Sequence, residues 1–162
     1  MKRLKVLSKR LSRKQKGSNN RNKSRQQVAR LHEKISNQRH DFQHKVSTKL
    51  VSENQAVAVD TLNVSGMLKN HYLAQHIADA SWSSFITKLE YKAEWYAKTV
   101  LRIARFEPST KICNVYGYYN SSMTLADRKW KCPECNTNND RDINASINIK
   151  KFALQEQNLI GI

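Results

Sequence analysis

Charge along this chain is so unevenly placed that its first third cannot fold as the rest does. Residues 1–49 carry sixteen lysines and arginines against two acids, Glu33 and Asp41. A segment so poor in apolar side chains cannot offset the conformational entropy of forming a core of its own. It can still be ordered as a helix that gathers its few apolar residues on one stripe. Val28, Leu31, Ile35, Phe42, Val46 and Leu50 recur at spacings of three, four and seven, which is one helix face, so a helix is expected from Ser24 onward. Arg25, Arg30, Lys34 and Arg39 fall largely off that face. Leu4, Leu7 and Leu11 fit the tail of an earlier helix, separated by a break at Gly17-Ser18-Asn19-Asn20.

The remaining residues carry 13 basic and 11 acidic side chains, so a basic arm of residues 1–54 precedes a nearly neutral body. Such an arm points to a polyanion, because Lys and Arg that neutralise phosphates release condensed counterions. The candidate nucleic-acid contacts are Arg13, Lys14, Lys16, Arg21, Lys23, Arg25 and Arg30. The competing reading is a solvated helix face. A membrane surface attracts the same charge, but no apolar run approaches the roughly 18 residues of a span. The N-terminus also lacks the apolar stretch of a signal peptide. No membrane partner and a cytoplasmic location are therefore expected.

Hydrophobic residues make up 39% of the chain, enough for a modest core. Gln55–Val59 reads as a buried strand ending at Asp60, followed by a polar loop, Thr61–Asn70. One helix is expected over Leu73–Ala97, with Leu73, Ile77, Phe85 and Leu89 facing inward and Trp82 and Trp95 nearby. Thr99–Phe106 reads as a second strand, closed by Pro108. Residues 111–137 form a cysteine-containing insert, and Asp142–Phe152 a closing helix with Ala145, Ile147, Ile149 and Phe152 apolar. The order helix, strand, helix, strand, insert, helix is α/β. It has too few strands for a complete doubly wound or RNase H-like sheet.

Two carboxylates and three cysteines carry the chemistry. Asp60 ends a strand, and groups at the carboxyl ends of strands line the functional crevice of open α/β sheets. The alternative is a plain strand-end turn residue. Asp142 opens a helix, where an acid also serves as an N-cap or complements the helix dipole. Together the two could hold a divalent metal for phosphodiester cleavage. Two of the three cysteines form Cys132-Pro133-Glu134-Cys135, a spacing that in a non-secreted chain reads as metal or redox chemistry rather than a disulfide framework, and Cys113 precedes them. Structural zinc takes four ligands as two such turns, yet the first turn reads Cys113-Asn114-Val115-Tyr116. A phenol with a pKa near ~10 is a poor zinc ligand, so weakened Zn²⁺ binding is expected.

Several runs together carry a resemblance. Arg10-Leu11-Ser12-Arg13-Lys14-Gln15-Lys16-Gly17-Ser18-Asn19-Asn20-Arg21 comes first, then Leu31 to Arg39 with Asp41-Phe42. Leu62-Asn63-Val64-Ser65-Gly66-Met67, Pro108-Ser109, the cysteine turns and Asp140-Arg141-Asp142-Ile143-Asn144-Ala145 follow in order. The set resembles the OrfB/TnpB insertion-sequence family over nearly the whole chain.

The resemblance implies a RuvC-type, RNase H-like nuclease that cuts DNA under RNA guidance, encoded in a transposon and related to type V CRISPR effectors. The fold it implies here is a partial RuvC-like core, residues 55–110 and 138–162, with a basic N-terminal helix and an embedded, degenerate zinc ribbon at 111–137. It implies Mg²⁺ at three acids. Asp142 matches the third, and Asp60 stands where the second is usually Glu. The first lies upstream of the basic segment, so the chain is expected to be truncated and catalytically impaired. Tyr116 stands at the family's second zinc cysteine. DNA and guide RNA are the implied partners, with a complementing N-terminal fragment or a homodimer as further expectations. The alternative is a non-catalytic DNA- or RNA-binding remnant or regulator of transposition. A free-standing zinc-ribbon regulator fits less well, because the ribbon is embedded in a larger α/β pattern.

Overall fold

A computed structural model describes residues 2–124 and 126–157. The chain divides into two compact units, Met1–Lys49 and Leu50–Ile162. The first is helical. It contains α1 (Lys2–Ser12) and most of α2 (Asn19–Glu53), which begins five residues ahead of the expected Ser24. Leu4, Leu7 and Leu11 are half-buried on α1. The turn between the helices is held by basic side chains. Arg21 Nη1 donates to the carbonyls of Lys14 at 2.9 Å and Leu11 at 3.2 Å. Lys14 Nζ donates to Ser24 Oγ at 2.6 Å.

The inner stripe of α2 starts as expected, with Val28, Leu31 and Ile35 half-buried, but then turns. Arg39, Gln43 and Ser47 follow at steps of four, and each such step advances about 40° around a helix of 3.6 residues per turn. Gln43 and Ser47 are buried as a result, while Phe42 is left 65% exposed. The seven-residue spacing to Phe42 was therefore misleading.

The second unit is mixed α/β. β1 (Ala56–Val59) pairs in parallel with β2 (Thr99–Arg102), Ala56 opposite Thr99 and Val59 opposite Arg102. Parallel neighbours need a crossover, here α3 (Val64–Met67), α4 (Ala74–Ala80) and α5 (Trp82–Trp95). Helices cover both faces of the pair, as parallel strands require. On one face Val59 and half-buried Val57 and Val100 meet Ile86, Leu89 and Ala93 of α5. On the other, Leu101 and half-buried Ala58 meet Ile149, Phe152, Ala153 and Leu154 of α6 (Arg141–Glu156). Leu89 is 1% exposed, so its replacement by Ala would cost about 2–5 kcal/mol.

Three element boundaries differ from expectation. The helix expected over Leu73–Ala97 is broken at Ser81, whose φ of 49° is left-handed, so it ends α4 before α5 begins. β2 stops at Arg102 rather than running to Phe106. That residue has φ 79° and is 90% exposed, a backbone no strand can use. The last helix starts at Arg141, with Asp140 rather than Asp142 as its N-cap. β3 (Lys129–Lys131), within the insert, pairs antiparallel with β4 (Asn138–Asp140), which directly follows it.

Among the described residues no helix is long and apolar enough to cross a membrane.

Candidate metal centre and carboxylates

Cys113, Cys132 and Cys135 converge, their sulfur atoms all within 4.8 Å of one another. Two turns of the same build hold them. In the first, the Cys113 N–H donates to the Tyr118 carbonyl at 2.9 Å and the Gly117 N–H to the Cys113 carbonyl at 2.8 Å. In the second, the Cys132 N–H donates to the Thr137 carbonyl at 2.9 Å and the Asn136 N–H to the Cys132 carbonyl at 3.0 Å. The residue four places after each leading cysteine is left-handed, Gly117 at φ 83° and Asn136 at φ 57°. Glycine and asparagine are the residues that tolerate this conformation best. Tyr116 thus occupies the place that Cys135 fills in the second turn. Its turn has the same backbone hydrogen bonds as the second, and its side chain is 62% exposed.

The two leading thiols differ in acidity. Burial alone would raise Cys113, but the backbone N–H groups of Tyr116 and Val115, with the Cys135 and Cys132 side chains, outweigh it and bring the thiol down to about 7. Burial pushes Cys132 up, above its ordinary value. Cys113 and Cys135 sulfurs are 3.6 Å apart. Ligand sulfurs about 2.3 Å from a tetrahedral zinc stand roughly 3.8 Å from each other. Three soft donors, one pair at about that spacing and all within 4.8 Å, fit a thiophilic ion such as zinc. Among the described residues no other group of three His, Cys, Asp or Glu side chains converges in this way.

The cluster is fastened to α6 by two asparagines: Asn144, part of the Asp140 to Ala145 run, and Asn148, which no motif marked. Asn144 and Asn148, 1% and 2% exposed, face the turn that precedes Cys113. Asn148 Nδ2 donates to the Ser109 and Ile112 carbonyls at 2.8 and 2.7 Å. Asn144 Nδ2 reaches the same Ile112 carbonyl at 2.7 Å. The available signal was two polar residues at i and i+4 on a helix face otherwise carrying Ala145, Ile149 and Phe152.

The two carboxylates line different cavities. Asp60, half-buried, follows β1. Next to it Thr61 Oγ1 donates to the Ile103 carbonyl at 2.7 Å, tying the ends of the two strands together. It lines a cavity of about 160 Å³ with Thr61, Val64, Trp82, Thr87 and Arg102. Asn63, three residues on, caps α3 by accepting from the Gly66 N–H at 3.1 Å. A Cβ on Gly66 would lie 2.5 Å from Asn63 Nδ2, so a larger residue there would push the Asn63 side chain out of this cap.

Asp142 lines a different cavity, with Thr110, Lys111, Met123, Thr124 and Arg141. Its carboxylate is 71% exposed and meets Arg141 at 3.2 Å and Arg128 at 3.5 Å. Of the seven basic residues considered for nucleic acid, Arg13, Lys16, Lys23, Arg25 and Arg30 are exposed, while Lys14 and Arg21 are half-buried in the α1–α2 turn.

Residues 1–71 match a family model described as "Probable transposase", and residues 82–149 match one described as "Cas12f1-like, TNB domain". The chain belongs to the OrfB/TnpB family. A protein of Streptomyces pristinaespiralis named "Putative RNA-guided DNA endonuclease" is 46% identical over 139 residues, 86% of this chain and 34% of that protein. InsQ of Escherichia coli, of the same description, is 30% identical over 163 residues, 91% of this chain and 40% of its own length. A Mycobacterium tuberculosis relative so described is 28% identical over 155 residues, covering 92% of this chain and 33% of itself. This OrfB/TnpB chain therefore spans about a third of the length of the relatives it matches.

Proposed function

We propose that the chain forms the C-terminal part of an RNA-guided, metal-dependent DNA endonuclease of RuvC type. The observation that carries this is the placement of Asp60. It sits at the carboxyl end of a parallel strand whose sheet is packed on one face by α6, the helix that Asp142 opens. In this reading residues 1–54 are a basic arm, 55–110 and 138–162 the nuclease core, and 111–137 the ribbon. Cys113, Cys132 and Cys135 hold Zn²⁺. Asp60 and Asp142 are two of the acids for Mg²⁺. That ion, when bound, activates water and stabilises the leaving oxygen. Arg13, Lys16, Lys23, Arg25 and Arg30 meet the phosphates of DNA or guide RNA, with Lys14 and Arg21 setting the turn that presents them.

The test is cleavage. The chain alone is expected to leave supercoiled plasmid DNA uncut in Mg²⁺ or Mn²⁺, because two acids make a half-built cage for an ion that demands octahedral oxygen ligation. Supplying in trans the part of the Streptomyces relative that this chain does not match, with its guide RNA and a matching target, is expected to restore cutting. That cutting should disappear in both Asp60→Ala and Asp142→Ala. Cleavage that survives either substitution would overturn the assignment.

A further inference from the structure

The sulfurs and the first turn of α6 are joined by side-chain amides. Asn139, 3% exposed, directs Nδ2 at Cys113 Sγ, 3.8 Å away. Its Oδ1 accepts from Asn114 Nδ2 at 3.2 Å. Asn114 places both that Nδ2 and its backbone N–H on Asn144 Oδ1, each at 2.9 Å. Asn144 is two residues beyond Asp142 on the same helix. A primary amide has two N–H donors and a two-lone-pair acceptor, so Asn114 can serve both neighbours at once. Lys151 Nζ, further along α6, also donates to the Asn114 carbonyl.

Groups that hydrogen-bond to metal ligands orient them and tune affinity, and their loss typically weakens binding about 10- to 100-fold. Buried polar networks behave as units, because a half-made one leaves unpaired groups in a low dielectric. We infer that Asn139, Asn114 and Asn144 are positioning residues: a relay through which a metal held by the three cysteines fixes the first turn of α6 and so the position of Asp142. Without the ion the sulfurs are free to shift, Asn139 loses its fixed partner, and the helix start loses one of its anchors. Coupling of this kind is reciprocal: whatever metal does for α6, an intact α6 returns as metal affinity. The relay rests on the cysteine site described above. Its consequence for catalysis rests on the reading of Asp142.

The test uses the full chain and no nucleic acid. Co²⁺ binding is followed by its thiolate charge-transfer band, and amide hydrogen exchange is compared with Zn²⁺ and with chelator. In the unmodified chain Zn²⁺ should slow exchange in the two cysteine turns and also in residues 142–148. In Asn144→Ala the slowing should persist in the cysteine turns, vanish from α6, and be accompanied by a roughly tenfold weaker Co²⁺ affinity. Asn139→Ala, which leaves α6 itself untouched, should give the same separation and covers the case in which Asn144→Ala fails to fold. Slowing confined to the ribbon in the unmodified chain, or α6 slowing retained in both variants, overturns the relay alone. A missing charge-transfer band overturns the cysteine site with it, and the cleavage test stands independently of either.

Discussion

The Asn144 carboxamide oxygen accepts from the Asn114 backbone N–H and from its side-chain amide, at 2.9 Å each. One buried polar residue on α6 thereby fixes the residue that follows Cys113. Asn148, one helical turn later, does the same for the Ser109–Ile112 turn. Hydrogen bonds made by these two asparagines thus join the ribbon's first turn to α6.

Asn148→Ala should therefore cost about 1–3 kcal/mol, the usual range for leaving buried polar partners short of a donor. In a domain of this size that lowers the melting temperature by several degrees. Thermal melts of the metal-free chain check it. An unchanged melting temperature would mean that the pair Asn144 and Ile112 carries the joint without Asn148.

How much of this was visible beforehand follows from what periodicity reports. The strand ending at Asp60, the start of the second strand at Thr99, and the three cysteines were legible, because apolar runs and ligand spacing are local signals. The break at Ser81 was not, since a serine with φ 49° has no marker comparable to Gly or Pro. The burial of Gln43 and Ser47 was hidden because the apolar spacing pointed to Phe42. The asparagine relay was hidden for a related reason. Its three members, Asn114, Asn139 and Asn144, lie apart in the sequence and acquire meaning only when the fold brings them together.

The basic arm should divide into two kinds of residue. Lys23, Arg25 and Arg30 are exposed, and charge reversal there should remove most nucleic-acid affinity while leaving helicity intact. If about six phosphates are neutralised, the log–log salt slope of binding should be about −4 to −5 in the unmodified chain and shallower in the variant. Arg21→Ala should instead loosen the α1–α2 turn, because its guanidinium satisfies the Leu11 and Lys14 carbonyls. Circular dichroism and salt-dependent binding separate the two. Affinity unaffected by the triple reversal would remove the arm as the docking surface.

Tyr116→Cys should convert the three-thiol cluster into a four-thiolate site. The backbone is already set for it, since the first turn carries the same hydrogen bonds as the second and the Tyr116 N–H helps hold the Cys113 thiol at about 7. The variant should retain zinc through dialysis against a chelator that strips the unmodified chain, and should melt at a higher temperature when loaded, because metal binding couples to folding. Equal zinc retention by the two proteins would show that three thiols and a non-protein fourth ligand suffice.

Asp140 and Asp142 separate structure from chemistry at the start of α6. Asp140 Oδ1 accepts from the Asp142 and Ile143 N–H groups at 3.1 and 3.2 Å, so it meets the helix's need for a cap. The Asp142 carboxylate, itself 71% exposed, is left for ion pairs with exposed Arg128 and with Arg141, whose side chain is largely covered. Pairs of that kind contribute about 0–1 kcal/mol, whereas losing an N-cap Asp costs typically about 1 kcal/mol and up to about 2. Asp140→Ala should therefore lower the melting temperature by more than Asp142→Ala, with the first turn of α6 exchanging its amide hydrogens faster only in the former. Asp142→Ala then becomes a clean probe, since activity it removes cannot be laid to a frayed helix. If Asp142→Ala destabilises the chain as much as Asp140→Ala does, the acid has a structural task at the helix start, and its assignment to metal loses its main support.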